Sequence, residues 1–278
     1  MSIQEENILH FGLLGEKLGH SLSPEIHADL LKQQNIAAAY EIYEMDKQEV
    51  LHIFDMMKKE NILGMNVTIP YKEVIYNLVD VLDSHAEKIG AVNTILLKDG
   101  TFYGYNTDYI GVMSMFHKAG ISLDGQRIVI LGSGGAAKAL IYGFHMGGAS
   151  SITVAARNEK ATMHLKELFP YIHTCSLTDI PEGDIIINTT PVGMYPNMGV
   201  SPVDAAVIRK FKVASDIVYN PLVTEFLRIA GEEGLQIVTG LMMLVDQAIG
   251  SEEIWLDKKL DYNMGNQIHD ELAAKFQK

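Results

Sequence analysis

Cysteine is almost missing from this 278-residue chain, Cys175 being the only one. An intrachain disulfide, a thiolate zinc cluster and a Cys-x-x-Cys redox pair are therefore excluded. Positive charge is scarce too, with 22 Lys and Arg against 35 Asp and Glu, for a formal charge of −13. Phosphate backbones are held by Lys and Arg patches, so nucleic acid is not an expected partner. No apolar run reaches the ~18 residues of a membrane span, and the ten histidines form no His-Glu-x-x-His cluster that would suggest a metal. The opening Met1-Ser-Ile-Gln-Glu-Glu carries acids where a secretory leader carries bases. The expectation is a cytoplasmic protein that needs no metal, nucleic acid or membrane.

Hydrophobic residues make up 47% of the chain, enough for a normal core, and the length suits one large or two medium domains. No low-complexity tract marks a boundary, so organisation is read from motifs. The most informative is Arg127-Ile-Val-Ile-Leu-Gly132-Ser133-Gly134-Gly135-Ala136-Ala137, an apolar strand entering a glycine turn with helix-forming residues behind it. Backbone without side chains lets amide N–H groups and the positive end of a helix approach a pyrophosphate. A tight turn with glycines for packing alone is the other reading. From here onward short apolar strands at 127–131, 151–156, 172–175, 184–188, 213–217 and 235–238 alternate with helices, which predicts a doubly wound parallel sheet. Helices are expected at 241–252 and 263–277, returning to the amino-terminal part. That part has strands near 8–14, 40–44, 62–67 and 92–97 with helices at 24–34 and 47–59, a mixed α/β pattern. The expected division is residues 1–106, completed by helices within about 248–278, and residues 107–247.

After the second strand of the glycine motif comes Ala156-Arg157-Asn158-Glu159-Lys160. An NAD site usually has an acid here for the ribose 2′-hydroxyl, whereas Arg157 suits the 2′-phosphate of NADP. A charge-assisted hydrogen bond of this kind contributes about 1.5–3 kcal/mol. A solvated arginine opening a helix is the plain alternative. Upstream, Ser21-Leu-Ser23-Pro24 reads as a helix entrance with Ser23 as N-cap, leaving Ser21 without a local duty. Two hydroxyls at that spacing also suit a carboxylate. Lys72 follows Asn66-Val-Thr68-Ile-Pro-Tyr on a first helical turn, where a cation is electrostatically misplaced. Asn93 and the Asn106-Thr-Asp108 group end two further strands, and each suits turn chemistry as well as function.

In order and spacing these segments resemble the shikimate dehydrogenase family. The likeness runs from about Gly12 to Gln247 and includes Asn188-Thr-Thr-Pro-Val-Gly-Met194, Asp216-Ile-Val-Tyr219-Asn-Pro and Gly240-Leu-Met-Met-Leu-Val-Asp-Gln247. It implies an amino-terminal substrate domain, a Rossmann NADP-binding domain, an active site in the cleft between them, and reversible NADPH-dependent reduction of 3-dehydroshikimate to shikimate. It further implies Lys72 and Asp108 as the catalytic pair. Ser21, Ser23, Asn66, Thr68, Asn93, Tyr219 and Gln247 would bind substrate. The cofactor would lie on Gly132, Ser133, Gly134, Gly135, Ala136, Ala156, Arg157, Asn158, Lys160, Thr190, Ile217 and Gly240.

Two departures qualify the likeness. Many NADP-using members carry Asn-Arg-Thr where this chain has Ala156-Arg157-Asn158, which removes one adenosine contact. The usual Trp-x-Gly-x-x-Pro is replaced by Trp255-Leu-Asp-Lys-Lys. A dehydrogenase that also accepts quinate and a non-catalytic metabolite sensor remain rival readings. The pair Ser21 and Ser23 favours shikimate, and the intact Lys72 and Asp108 favour catalysis. Monomer and homodimer are both open.

Replacing Arg157 by Ala is expected to raise the KM for NADPH far more than that for NADH. Equal changes in steady-state assays with both cofactors would reject its assignment to the 2′-phosphate.

Overall fold

The computed structural model describes residues 8–19 and 21–276. His20 of the serine motif, the opening hexapeptide and the expected helix end at 277 lie outside them. The chain forms two compact units. One comprises the chain up to Thr107 with Ala248–Ile268, and the other Asp108–Gln247 with the chain from His269 onward.

The first unit is built from β1 (Leu9–Gly15), α1 (Ser23–Gln33), β2 (Ala38–Glu44), α2 (Ile53–Lys59), β3 (Ile62–Val67), α3 (Lys72–Tyr76), β4 (Val81–Leu82), α4 (Ser84–Ile89), β5 (Thr94–Lys98) and β6 (Thr101–Tyr105). Its sheet has the order β2-β1-β3-β5-β6-β4, with β1, β2 and β3 parallel and β5 antiparallel to both β3 and β6. The register pairs Asn66 with Thr94, and Thr94 with Tyr105, so the end of β3, the start of β5 and the end of β6 share one edge of the sheet.

Two expectations needed correction here. The helix expected over 47–59 begins as a 3-10 turn at Glu49–His52, because the Asp46 carboxylate accepts the amides of Gln48 and Glu49 and tightens the entry. The strand β6 was missed, although Asp99-Gly100 is a two-residue hairpin turn, both residues having positive φ.

The second unit contains α5 (Asp108–Lys118), β7 (Arg127–Leu131), α6 (Gly135–Met146), β8 (Ser151–Ala155), α7 (Glu159–Leu168), β9 (His173–Cys175), β10 (Ile185–Asn188), α8 (Ala205–Ile208), β11 (Val213–Asp216), α9 (Glu225–Glu232) and β12 (Gln236–Thr239). Its six strands are all parallel, in the order β12-β11-β10-β7-β8-β9. Counted within the unit this is the 3-2-1-4-5-6 arrangement of a doubly wound sheet, whose ligands lie outside the carboxyl ends of the strands. β10 and β11 are buried throughout, as strands covered on both faces must be.

The chain ends with α10 (Leu241–Leu256) and α11 (Met264–Lys275). Both were expected to return to the amino-terminal part, yet residues from His269 group with the second unit.

The later half of α10 packs on the first sheet through Trp255. Its ring stacks on Phe11 at 4.7 Å, its Nε1 donates to the Ile95 carbonyl at 2.9 Å, and it lies over Gly64, where an added Cβ would come within 2.2 Å of Nε1. One turn earlier, Glu252 is fully buried with His27, with 2.9 Å between its Oε1 and the ring Nδ1. Gln34 donates to its other oxygen. Removing the carboxylate leaves the His27 ring and the Gln34 amide without their partner, at about 1–3 kcal/mol for each buried group. Glu252→Ala should therefore lower unfolding stability by that order in urea titration, and an unchanged midpoint would show that α10 is held by Trp255 alone.

Candidate active site

At the shared edge of the first sheet, Asn66 and Asn93 are 4% and 2% exposed. Their amides take part in a polar network. Asn66 Oδ1 accepts from the Tyr40 phenol at 2.8 Å, and its Nδ2 donates to Ser251 Oγ at 2.8 Å. Asn93 Oδ1 accepts from the Thr107 amide at 2.7 Å and the Thr94 hydroxyl at 2.9 Å. Asn66 and Asn93, both assigned to substrate by the family likeness, thus belong to one network.

Thr68 is half-buried just beyond β3, its amide donating to the Leu14 carbonyl at 2.9 Å. Lys72 is half-buried at the first position of α3, and its carbonyl accepts from Val92 N–H at 3.0 Å, which ties α3 to the turn carrying Asn93.

The serine motif differs from expectation. The helix starts at Ser23 itself, with Leu22 in the cap position and no side-chain cap bond. Ser21 Oγ accepts the Ser23 amide at 3.2 Å, so the local duty expected of Ser23 falls to Ser21. Ser23 is buried.

In the second unit Asp108 is buried at the first position of α5, where the helix dipole favours an acid. Gly132 has φ +110°, and an added Cβ would come within 2.8 Å of both Thr189 and Thr190, so the fold itself requires this glycine. Gly134 and Gly135 differ, since an added Cβ on either meets nothing within 4 Å. Their smallness serves no internal packing, and α6, capped by Gly134 and opened by Gly135, has no acid in its first turn. That fits a pyrophosphate approaching the backbone of Ser133, Gly135 and Ala136.

Beyond β8, Arg157, Asn158, Glu159 and Lys160 line a surface hollow of about 640 Å³. Two cations suit the adenosine phosphate, while Asn158 Oδ1 is occupied as the N-cap of α7, accepting from Ala161 N–H at 3.2 Å. Ala156 N–H reaches the Cys175 carbonyl at 3.4 Å. Gly240 has a packing reason of its own, because a Cβ there would collide with the Asp216 and Ile217 carbonyls at 2.6 Å. Gln247 is buried and its Nε2 donates to the Leu244 carbonyl at 2.9 Å. Among the described residues no group of three or more His, Cys, Asp or Glu is placed to hold a metal, and no helix is long and apolar enough to cross a membrane.

Residues 13–95 match the family model described as the shikimate dehydrogenase substrate binding domain. A shikimate dehydrogenase (NADP(+)) of Clostridium perfringens is 45% identical, the match covering 96% of this chain and 99% of that one. The chain belongs to the shikimate dehydrogenase family. Among solved structures, shikimate dehydrogenase 1 of Peptoclostridium difficile superposes with TM-score 0.86 at 44% identity, covering 97% of this chain and 99% of that one. The Thermus thermophilus enzyme in complex with NADP(H) and shikimate superposes with TM-score 0.88 at 30% identity, covering 95% and 99%.

Within this member of the shikimate dehydrogenase family, several residues that organise the site carried no role in the sequence reading. At the end of β11, Asp216 is fully buried and accepts from Asn188 Nδ2 at 3.0 Å, Val218 N–H at 3.0 Å and Thr224 Oγ1 at 2.7 Å. Asn188 Oδ1 in turn accepts from Thr190 Oγ1 at 2.7 Å. One carboxylate thereby fixes the turns that bear Thr190, Ile217 and Tyr219. Its only sequence signal was an acid closing a buried apolar strand. A second buried carboxylate, Asp246, binds Lys118 at 2.8 Å and Ser114 at 2.6 Å, which fastens α5, begun by Asp108, to α10 beside Gln247.

Burial pushes the Asp216 pKa up to about 6, against the three hydrogen bonds that favour its charge. A carboxyl whose folded pKa lies above its unfolded value stabilises the fold when protonated, and that contribution disappears as pH rises through about 6. Asp216→Asn keeps the shape without the charge. Its stability relative to the native protein should be greatest above pH 7 and shrink as the pH falls from 6 towards 4, by about 3 kcal/mol in all. A difference in urea midpoints that does not move with pH would refute this.

Proposed function

We propose that the protein catalyses the reversible NADPH-dependent reduction of 3-dehydroshikimate to shikimate, a step in aromatic amino-acid precursor synthesis. The observation that carries this reading is the match, along 95% of the chain, to a structure that holds NADP(H) and shikimate. NADPH, when bound, supplies a hydride for the ketone carbon. The ketone oxygen must gain a proton as its negative charge develops, and the Lys72 ammonium is the group we assign to give it. Asp108 is assigned as the carboxylate that favours the charged lysine. In the oxidation direction the proton returns to Lys72, so one residue serves as acid and base.

Substrate binding falls to Ser21 and Ser23 for the carboxylate, and to Thr68, Asn93, Tyr219 and Gln247 for the ring and its hydroxyls. Asn66 holds Asn93 in place. Ser133, Gly134, Gly135 and Ala136 carry the pyrophosphate, Arg157 and Lys160 the 2′-phosphate, and Ile217 and Gly240 lie at the nicotinamide end. The protein is assigned to the cytoplasm as a monomer or homodimer whose partners are small molecules.

Shikimate-dependent reduction of NADP+, repeated with NAD+ and with quinate, tests the reading. Turnover with shikimate and NADP+ supports it, and absence of turnover overturns it. Lys72→Ala should lower kcat by about 10²- to 10⁴-fold while changing the shikimate KM far less. An unchanged kcat would remove Lys72 from the mechanism.

A further inference from the structure

Helices α5 and α10 meet along one face of each, and both segments belong to the second unit as far as Gln247. On α5 the contact runs through Gly111, Ser114 and Lys118, spaced i, i+3 and i+7 as one helical face requires. On α10 it runs through Met242, Met243, Asp246 and Gln247. One end of the contact is a polar clasp. The fully buried Asp246 carboxylate takes the Ser114 hydroxyl at 2.6 Å on one oxygen and the Lys118 ammonium at 2.8 Å on the other. The same ammonium reaches Met242 Sδ at 3.4 Å. The other end is a close approach of backbones. A Cβ added to Gly111 would lie 2.5 Å from the Met243 carbonyl oxygen and 3.2 Å from Gln247 Cβ.

Glycine weakens the interior of a helix relative to alanine, so its place early in α5 calls for a reason. Backbone conformation supplies none, because Gly111 is not among the residues with positive φ. The reason is distance. A carbonyl oxygen cannot rotate out of the way as a side chain can. Ordinary contact begins near 3.4 Å, so a methyl at position 111 would push one helix back by about 1 Å. The opposite side of α5 is close too. There α6 comes so near that a Cβ on Gly143 would lie 3.3 Å from the Tyr109 carbonyl and 2.8 Å from Val112 Cγ1. The first turns of α5 are thus seated between two glycine contacts.

Both helices carry an assigned residue one turn from this contact. Asp108 opens α5 one turn before Gly111, and Gln247 stands one turn after Met243 on α10. We infer that Gly111 is a positioning residue for the reaction. By admitting the Met243 carbonyl it sets the spacing between the helix that bears Asp108 and the helix that bears Gln247, and the Asp246 clasp keeps the two in register. The inference rests on the proposed shikimate chemistry, in which Asp108 supports the proton donor and Gln247 holds substrate. It adds a residue that acts by having no side chain.

The test is shikimate oxidation with NADP+, measured on the full chain. Gly111→Ala should lower kcat by about 10- to 100-fold, the effect of displacing reacting groups by about an ångström, and raise the shikimate KM by less. The NADP+ KM should stay within about twofold, because the contact lies on α10 rather than on the glycine turn or the Arg157 hollow. Gly231→Ala on α9, where an added Cβ meets nothing within 4 Å, is the control and should leave every constant as it is. Ser114→Ala opens the clasp without adding volume and should lower kcat in the same direction by a smaller factor. A native kcat in Gly111→Ala, or an NADP+ KM that rises in step with the fall in kcat, would overturn the inference. If Gly111→Ala does not melt cooperatively, Ser114→Ala decides, a lowered kcat upholding the inference and a native one overturning it. Native protein that turns over shikimate while Gly111→Ala matches it would leave the proposed function standing. Native protein that does not turn over shikimate would sink both.

Discussion

A buried amide must have its hydrogen bonds met by protein, and in the first unit Asn66 is where that requirement gathers the structure. Its oxygen takes the phenol proton of Tyr40 from the edge strand two places away in the sheet, and its nitrogen reaches Ser251 on a helix 185 residues further along the chain. Through Thr94 the same network passes to Asn93 and the Thr107 amide, the residue before Asp108. Left unmatched, any of these groups would cost about 1–3 kcal/mol. The geometry of the strand ends is therefore determined collectively. The side chains assigned to substrate stand on, or next to, groups that have little freedom to move.

The second unit solves a similar problem with a charge. Parallel strands end together, and the chain must leave each one through a turn whose amides need acceptors. Asp216 supplies acceptors for three groups at once, and Asn188 relays the constraint to Thr190. Burying that carboxylate opposes its ionisation, which the hydrogen bonds offset only in part. The glycines divide along the same line between structure and ligand. Gly132 and Gly240 are small because protein crowds them, whereas Gly134 and Gly135 are small with open space before them. Only the second pair is evidence for something that comes from outside.

Much of the architecture was readable because it rests on local periodicity. Apolar runs such as Ile128–Leu131 and Ile185–Ile187 become fully buried parallel strands, and the glycine turn sits between a strand and a helix as the spacing required. The hairpin partner Thr101–Tyr105 escaped notice although Asp99-Gly100 announces it, because Tyr103 and Tyr105 alternate with small and polar residues in a run too short to stand out. Helix entrances were misread by a residue or two at Ser21 and Ser23, since capping depends on which hydroxyl the backbone meets. Tyr40, Ser251 and Asp216 were silent for a different reason. Their partners lie far away in sequence, or their meaning depends on being buried.

By itself the sequence determined the two-part α/β plan, the family and the types of residue from which the chemistry is drawn, because strand and helix patterns and motif spacing are local properties of the chain. Tertiary structure alone decided which polar groups meet one another in the interior. Asn66 was drawn into a buried network with Tyr40 and Ser251, Ser21 took up the Ser23 amide, and Gly134 was left facing open space. Such assignments depend on which donors and acceptors are brought together across tens to hundreds of residues, and on whether water can reach them. No short-range pattern encodes that.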